Sequence, residues 1–135
     1  MFCLDTNIVI VALNLRQRII ADRLETELRL GTRLIVPSIV RFELEYGIAK
    51  SARPEKNRAL LRAFLSTGFE QPAFDVDDAR EAADIRAYLE ARGTPIGPYD
   101  ILIAGLARRC GAAMVTLNRA EFERVPGLIV TDWAA

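Results

Sequence analysis

The sequence predicts an α/β fold built on a mainly parallel sheet, and three observations carry that expectation. Short apolar runs alternate with longer stretches whose apolar residues recur at helical spacing. Each run closes in a polar turn or a Pro and leads into a helix, the order of strand–helix units in a parallel sheet. A length of 135 residues, 51% of them hydrophobic, suits one domain over residues 1–135 with a substantial core.

The elements follow in order. Phe2 to Asp5 is an apolar run closed by a carboxylate, a buried strand. Thr6 and Asn7 can cap the helix that follows, Thr6 to about Asn14, which is nearly all apolar and so largely buried. Ile19 to Leu30 forms a second helix, with Ile20, Leu24 and Leu28 at four-residue spacing and Gly31 as its stop. Arg33 to Val36 is a second strand, ended by Pro37. Ser38 caps a third helix to about Ser51. Pro54 opens a fourth through Thr67, with Leu60, Leu61, Phe64 and Leu65 facing inward. Phe69 to Phe74, interrupted by Pro72, suits an edge strand. Asp75, Asp77 and Asp78 favour the N-terminus of a fifth helix reaching Arg92. A Gly- and Pro-rich loop, Gly93 to Pro98, precedes a sixth helix from Tyr99 to Cys110, apolar on nearly every side and therefore central. Ala113 to Leu117 is a strand, Asn118 to Glu121 a polar turn, and Leu128 to Thr131 a last short strand.

Composition narrows the chemistry. The eighteen basic and eighteen acidic residues balance, so net charge points to no nucleic-acid partner. All basic residues but Lys50 and Lys56 are Arg, whose fork matches phosphate and carboxylate geometry, although a codon bias gives the same pattern. The absence of His removes imidazole acid–base catalysis, His metal sites and Ser-His-Asp triads. Cys3 and Cys110 lie far apart in apolar surroundings and read as buried thiols of a reducing cytosol, not as a zinc site or disulfide. No signal peptide or membrane span is visible, so a soluble cytoplasmic protein is expected. Hydrolytic chemistry here has to use carboxylates, metal ions, or both.

Most acids have ordinary places: Glu25, Glu27, Glu55, Glu81 and Glu90 on solvated helix faces, Asp22 and Asp84 likewise. Three do not. Asp5 ends a strand, at the sheet edge where open α/β folds bind ligands; its plain alternative is an N-cap. Ile39, Val40, Phe42, Leu44, Tyr46 and Gly47 spread over one broad arc of their helix, and Glu43 falls within it, near Ile39, Val40 and Gly47, whereas Arg41 and Glu45 lie opposite. An inward carboxylate costs several kcal/mol unless paired or metal-bound, and a buried pair with Arg is its alternative. Asp100 opens the buried sixth helix, where the helix dipole alone would also favour it. Asn118 follows the strand at Ala113–Leu117 and belongs to the same edge if the sheet is parallel, or simply shapes a turn; Glu121, three residues on, could reach the same cleft or simply begin a short helix. Acids gathered without a cationic partner repel, and hard oxygen donors with open positions suit Mg²⁺ or Mn²⁺.

Four stretches resemble one family in order along the chain. Leu4-Asp5-Thr6-Asn7 is similar to the opening of PIN-domain nucleases, Pro37 to Gly47 to their second acidic motif, and Gly93 to Ala104 to the third. Asn118 to Leu128 resembles the tail of VapC-type toxins of bacterial toxin–antitoxin pairs. The resemblance implies a three-layer α/β/α sandwich with a central sheet of four to five strands, and a metal-dependent endoribonuclease. It makes Asp5, Glu43 and Asp100 the acidic triad, with Mg²⁺ or Mn²⁺ held by Asp5 and Asp100 most directly. Glu43 would handle the attacking water. Asn118 stands at a fourth catalytic position that is often Asp, which leaves open whether one ion binds or two. Thr6 and Glu121 are auxiliary, and Arg residues near the rim, such as Arg119, are candidates for contacts to the RNA backbone, with no ranking among them. The implied reaction is in-line attack of metal-activated water on an RNA phosphodiester, leaving a 5′-phosphate and a 3′-hydroxyl. The implied partners are RNA, a second copy of the chain, and a VapB-like antitoxin docked in an apolar groove near the first four helices.

Two rivals have features that separate them. A haloacid-dehalogenase-like phosphatase needs a second Asp two residues after the first, where this chain has Asn7, and a Lys near the site, where only Lys50 and Lys56 exist. A PIN fold kept as an RNA- or protein-binding module would bind RNA without turnover.

Overall fold

The computed structural model describes residues 1–134. Its elements are β1 (Phe2–Leu4), α1 (Thr6–Leu13), α2 (Arg18–Arg29), β2 (Leu34–Ile35), α3 (Ser38–Ala49), α4 (Pro54–Leu65), α5 (Val76–Ala91), α6 (Pro98–Cys110), β3 (Ala113–Val115), α7 (Arg119–Phe122) and β4 (Val130–Thr131). The strands pair only in parallel, in the order β2-β1-β3-β4. Strands this short hold because they are buried: Cys3, Leu4, Leu34, Met114 and Val115 have no exposed surface. The helices flank the sheet in the three-layer arrangement.

The strand order has a consequence for function. From β1 the chain crosses to β2 on one side, and later returns to β3 on the other. The gap between β1 and β3 is therefore the topological switch point, and its carboxyl-terminal end is where such sheets bind ligands. Asp5 follows β1 there and Thr116 follows β3, one step beyond the paired residues Leu4 and Val115.

The predicted edge strand at Phe69–Phe74 is reduced to a single parallel bridge between Ile35 and Glu70. Glu70 donates its N–H to Leu34 and accepts from Val36, and Pro72 ends the pairing, having no N–H to give. The sheet has four strands and this one-residue extension. The polar turn after Leu117 winds into the short helix α7.

Several side chains depart from their expected faces. Glu27, expected in solvent, is buried, near Arg23 at 3.8 Å and Thr32 at 3.4 Å. Asp78 is wholly buried, because it closes the capping box of α5 with Asp75 and pairs with Arg109 of α6. Leu60 is 51% exposed while Leu61 and Leu65 of the same helix are buried. Cys110 is half-buried, and Cys3 fully buried as expected; both are free thiols. The α5–α6 crossing is tight. A Cβ added at Gly105 would lie 2.8 Å from the Ala82 Cβ and from its backbone nitrogen. Among the described residues no helix is long and apolar enough to cross a membrane.

Candidate active site

The site forms where three chain segments end at the switch point. Asp5 is brought there by β1, and its 6% exposure makes it one of the few buried acids. It is also the N-cap of α1: its Oδ1 accepts from the Ile8 N–H at 3.1 Å. Thr6 and Asn7, expected to take that duty, do not, because the helix already begins at Thr6. Capping and site membership are thus not alternatives for Asp5. One oxygen caps the helix and the other, Oδ2, accepts from the Thr116 hydroxyl at 2.5 Å. Burial pushes the Asp5 carboxyl above its ordinary value, the Thr116 and Ile8 donors oppose that rise, and the nearby Glu43 charge adds to it.

Glu43 reaches the site from α3. It is half-buried, and its Oε1 accepts from the Thr6 hydroxyl at 2.6 Å, which ties the second acid to the first residue of α1. The helix-wheel argument for its orientation holds only in part. Phe42 and Tyr46, placed on the same inward arc, are 51% and 59% exposed. The buried stripe is Val40, Leu44 and Ile48, and Glu43 stands at its border. The alternative pairing of Glu43 with an Arg does not occur among the described residues.

Asp100 sits in the first turn of α6, behind Pro98, with Gly97 at the N-cap. No side chain caps that helix end, and a Cβ on residue 97 would come within 3.2 Å of the Asp100 Oδ2. Burial, a hydrogen bond with Glu121, and the charges of Glu121, Asp5 and Glu43 push the Asp100 carboxyl up to about 7. Glu121 in turn accepts from the Asn118 side-chain amide at 2.7 Å. The fourth expected position is therefore exposed and occupied with Glu121, not aimed at Asp5. Arg119 points to its own helix, pairing with Glu123 at 2.7 Å.

The arrangement unites Asp5, Glu43, Asp100, Thr6, Asn118 and Glu121 through direct hydrogen bonds or mutual charge. Thr116 was missed. Its only trace in the sequence is a hydroxyl residue at the end of an apolar run, and its meaning depends on β3 lying next to β1. None of Asp5, Glu43, Asp100 and Glu121 joins an ion pair among the described residues. No three acid, Cys or His side chains among those residues stand close enough to enclose one ion by themselves. Uncompensated hard oxygens of this kind suit a divalent cation that takes one or two carboxylates and keeps water on its other faces. Beside Glu43, a groove of about 380 Å³ runs between α1, α3 and α4, lined by Ile10, Leu13, Leu44, Ile48, Leu60 and Leu61 among others.

Comparison with known proteins agrees with this geometry. The PIN domain family model matches residues 2–128. A relative from Salmonella typhimurium strain LT2, described as tRNA(fMet)-specific endonuclease VapC, is 40% identical over 98% of this chain and 97% of its own. The toxin fold in a VapBC2 complex from Rickettsia felis, bound to a promoter DNA fragment, superposes with a TM-score of 0.91 at 36% identity, covering 98% of each chain. DNA-bound VapBC from Salmonella typhimurium gives 0.89 at 40% identity, over 98% of this chain and 97% of that one. The chain belongs to the PIN-domain family, and within it to the VapC-type ribonucleases.

Proposed function

We propose that this single domain, residues 1–135, is a metal-dependent endoribonuclease that acts as the toxin of a toxin–antitoxin pair and is silenced by a VapB-like antitoxin. The observation that carries the catalytic reading is a cluster of carboxylates at the switch point with no cationic partner, in a chain without His. Its kinship with VapC ribonucleases supports RNA as the substrate, and its likeness to VapBC complexes supports the antitoxin.

Asp5 and Asp100 would hold Mg²⁺, or Mn²⁺ in its place, with Glu43 beside them. A divalent cation bound there supplies Lewis acidity, making water more acidic and neutralising phosphate oxygens. The residues of the chain supply orientation. Asp5 is pinned by two donors, so its carboxylate plane is set before any ligand arrives. Thr6 occupies one oxygen of Glu43 and leaves the other free to accept a proton from water. Asn118 donates to Glu121, whose charge acts on Asp100, and exposed Arg119 is a candidate for RNA backbone contact. The apolar groove beside Glu43 suits an amphipathic antitoxin segment, whose seat there would cover the acidic cluster. A homodimer is the expected assembly.

The test is cleavage of total cellular RNA with Mg²⁺ or Mn²⁺. EDTA abolishes it, and Asp5→Asn or Asp100→Asn lowers the rate by about 10²-fold or more, the range for losing an electrostatic contact at a reacting centre. Cleavage that survives EDTA, or full activity in both variants, rejects the assignment.

A further inference from the structure

We propose that Thr116 is the positioning residue of this site: its hydroxyl fixes the Asp5 carboxylate and links it to the Asn118–Glu121 side of the cleft. The inference rests on the metal-dependent reading above. It starts from a proton inventory. The Asn118 backbone N–H can only donate, and it points at the Thr116 Oγ1 from 2.8 Å. That oxygen is therefore an acceptor there, and its own single hydrogen is left for the Asp5 Oδ2 at 2.5 Å. The other Asp5 oxygen accepts from the Ile8 N–H. The direction of both bonds is thereby set, and the two donors come from segments far apart in the chain.

Thr116 has no exposed surface, so no water competes for its hydroxyl. It is the only neutral polar side chain in the buried core of the described residues. A buried hydroxyl with no catalytic neighbour would ordinarily bond to a carbonyl of its own strand; this one bridges two chain segments instead. The result is one continuous polar path: Ile8 N–H to Asp5, Asp5 to Thr116, Thr116 to the backbone of Asn118, and the Asn118 amide to Glu121. Asp5 and Glu121 belong to segments far apart in sequence, and one hydroxyl group joins them.

The experiment compares Thr116→Val, which removes the hydroxyl and keeps the shape, with Thr116→Ser, which keeps the hydroxyl. Equilibrium binding of Mn²⁺ alone is followed by electron paramagnetic resonance, and RNA cleavage is measured in parallel. Thr116→Val weakens Mn²⁺ binding about tenfold and lowers kcat by 10- to 100-fold with KM within about twofold, and Thr116→Ser restores both. In an Asp5→Asn background, Thr116→Val causes no further loss of Mn²⁺ affinity, since the hydroxyl has no carboxylate left to orient. Thr116→Ala replaces Thr116→Val in each comparison if the latter does not fold. Wild-type Mn²⁺ affinity in the hydroxyl-free variant overturns the proposal. So does a Ser variant as defective as the Val variant, or an additive loss in the Asp5→Asn background. The Mn²⁺ comparison decides the role of Thr116 whether or not RNA is cleaved, so failure of the ribonuclease reading is a separate result.

Discussion

Asp100 sits among three other acids with no positive side chain to relieve it, and its carboxyl responds to pH accordingly. A carboxyl raised from its ordinary value to about 7 binds its proton more tightly in the folded chain than in the unfolded one. Without metal, its contribution therefore favours the fold at low pH and is lost as pH rises through about 7. Cation binding has the opposite demand, because the carboxyl must be ionised to serve as a ligand. At limiting Mg²⁺ the cleavage rate falls as pH drops below about 7, and saturating Mg²⁺ moves that midpoint to lower pH. A pH–rate series at two Mg²⁺ concentrations measures this; a midpoint indifferent to Mg²⁺ rejects the role of Asp100. Asp78 is a different kind of acid. Wholly buried, it is satisfied by Arg109 and by the Asp75 N–H. Arg109→Met leaves that charge unpaired and costs about 3–5 kcal/mol in urea unfolding, with the nuclease site itself untouched.

At the scale of elements, α6 does two jobs. Its N-terminal turn carries Asp100 to the cleft, and its middle packs against α5 at Gly105. The gap there has no room for a methyl group, because the nearest atoms are the Cβ, N and Cα of Ala82, none of which can swing away. Gly105→Ala forces the two helices apart. It is expected to destabilise by about 1–3 kcal/mol in chemical denaturation, even though Ala has the better helix propensity. A more stable Gly105→Ala protein contradicts this packing account. Much of α6 was legible beforehand: an all-apolar helix with an acid in its first turn had to be central and had to point that acid at a sheet edge. That Glu43 turns partly inward was legible too, but its place at the border of the buried stripe and the exposed faces of Phe42 and Tyr46 were not. Periodicity shows which residues share an arc; it does not show how wide an arc the neighbouring helices cover.

At the scale of the molecule, the sheet order and the groove set what the site can meet. Leu60 is 51% exposed at the groove wall, so its side chain is not part of the buried core. Leu60→Glu is therefore expected to leave RNA cleavage within about twofold of wild type and to abolish inhibition by a co-expressed VapB-like antitoxin, because a charge buried in an apolar contact costs several kcal/mol. Growth rescue and copurification read out the result. Retained inhibition would place the antitoxin elsewhere.

The sequence by itself determined the class of fold, the alternation of its elements and the three awkward acids. These follow from local physics: hydrophobic period, caps and breakers act over a few residues, and an acid inside an apolar pattern is visible without coordinates. Only the tertiary structure decided that β1 lies beside β3, and that Asp5 caps α1 with one oxygen while the other accepts from Thr116. Strand order rests on packing between segments separated by more than a hundred residues, as Asp5 and Thr116 are. No periodicity within a segment encodes which strand will be its neighbour, and a hydroxyl becomes a positioning group only when that neighbour is in place.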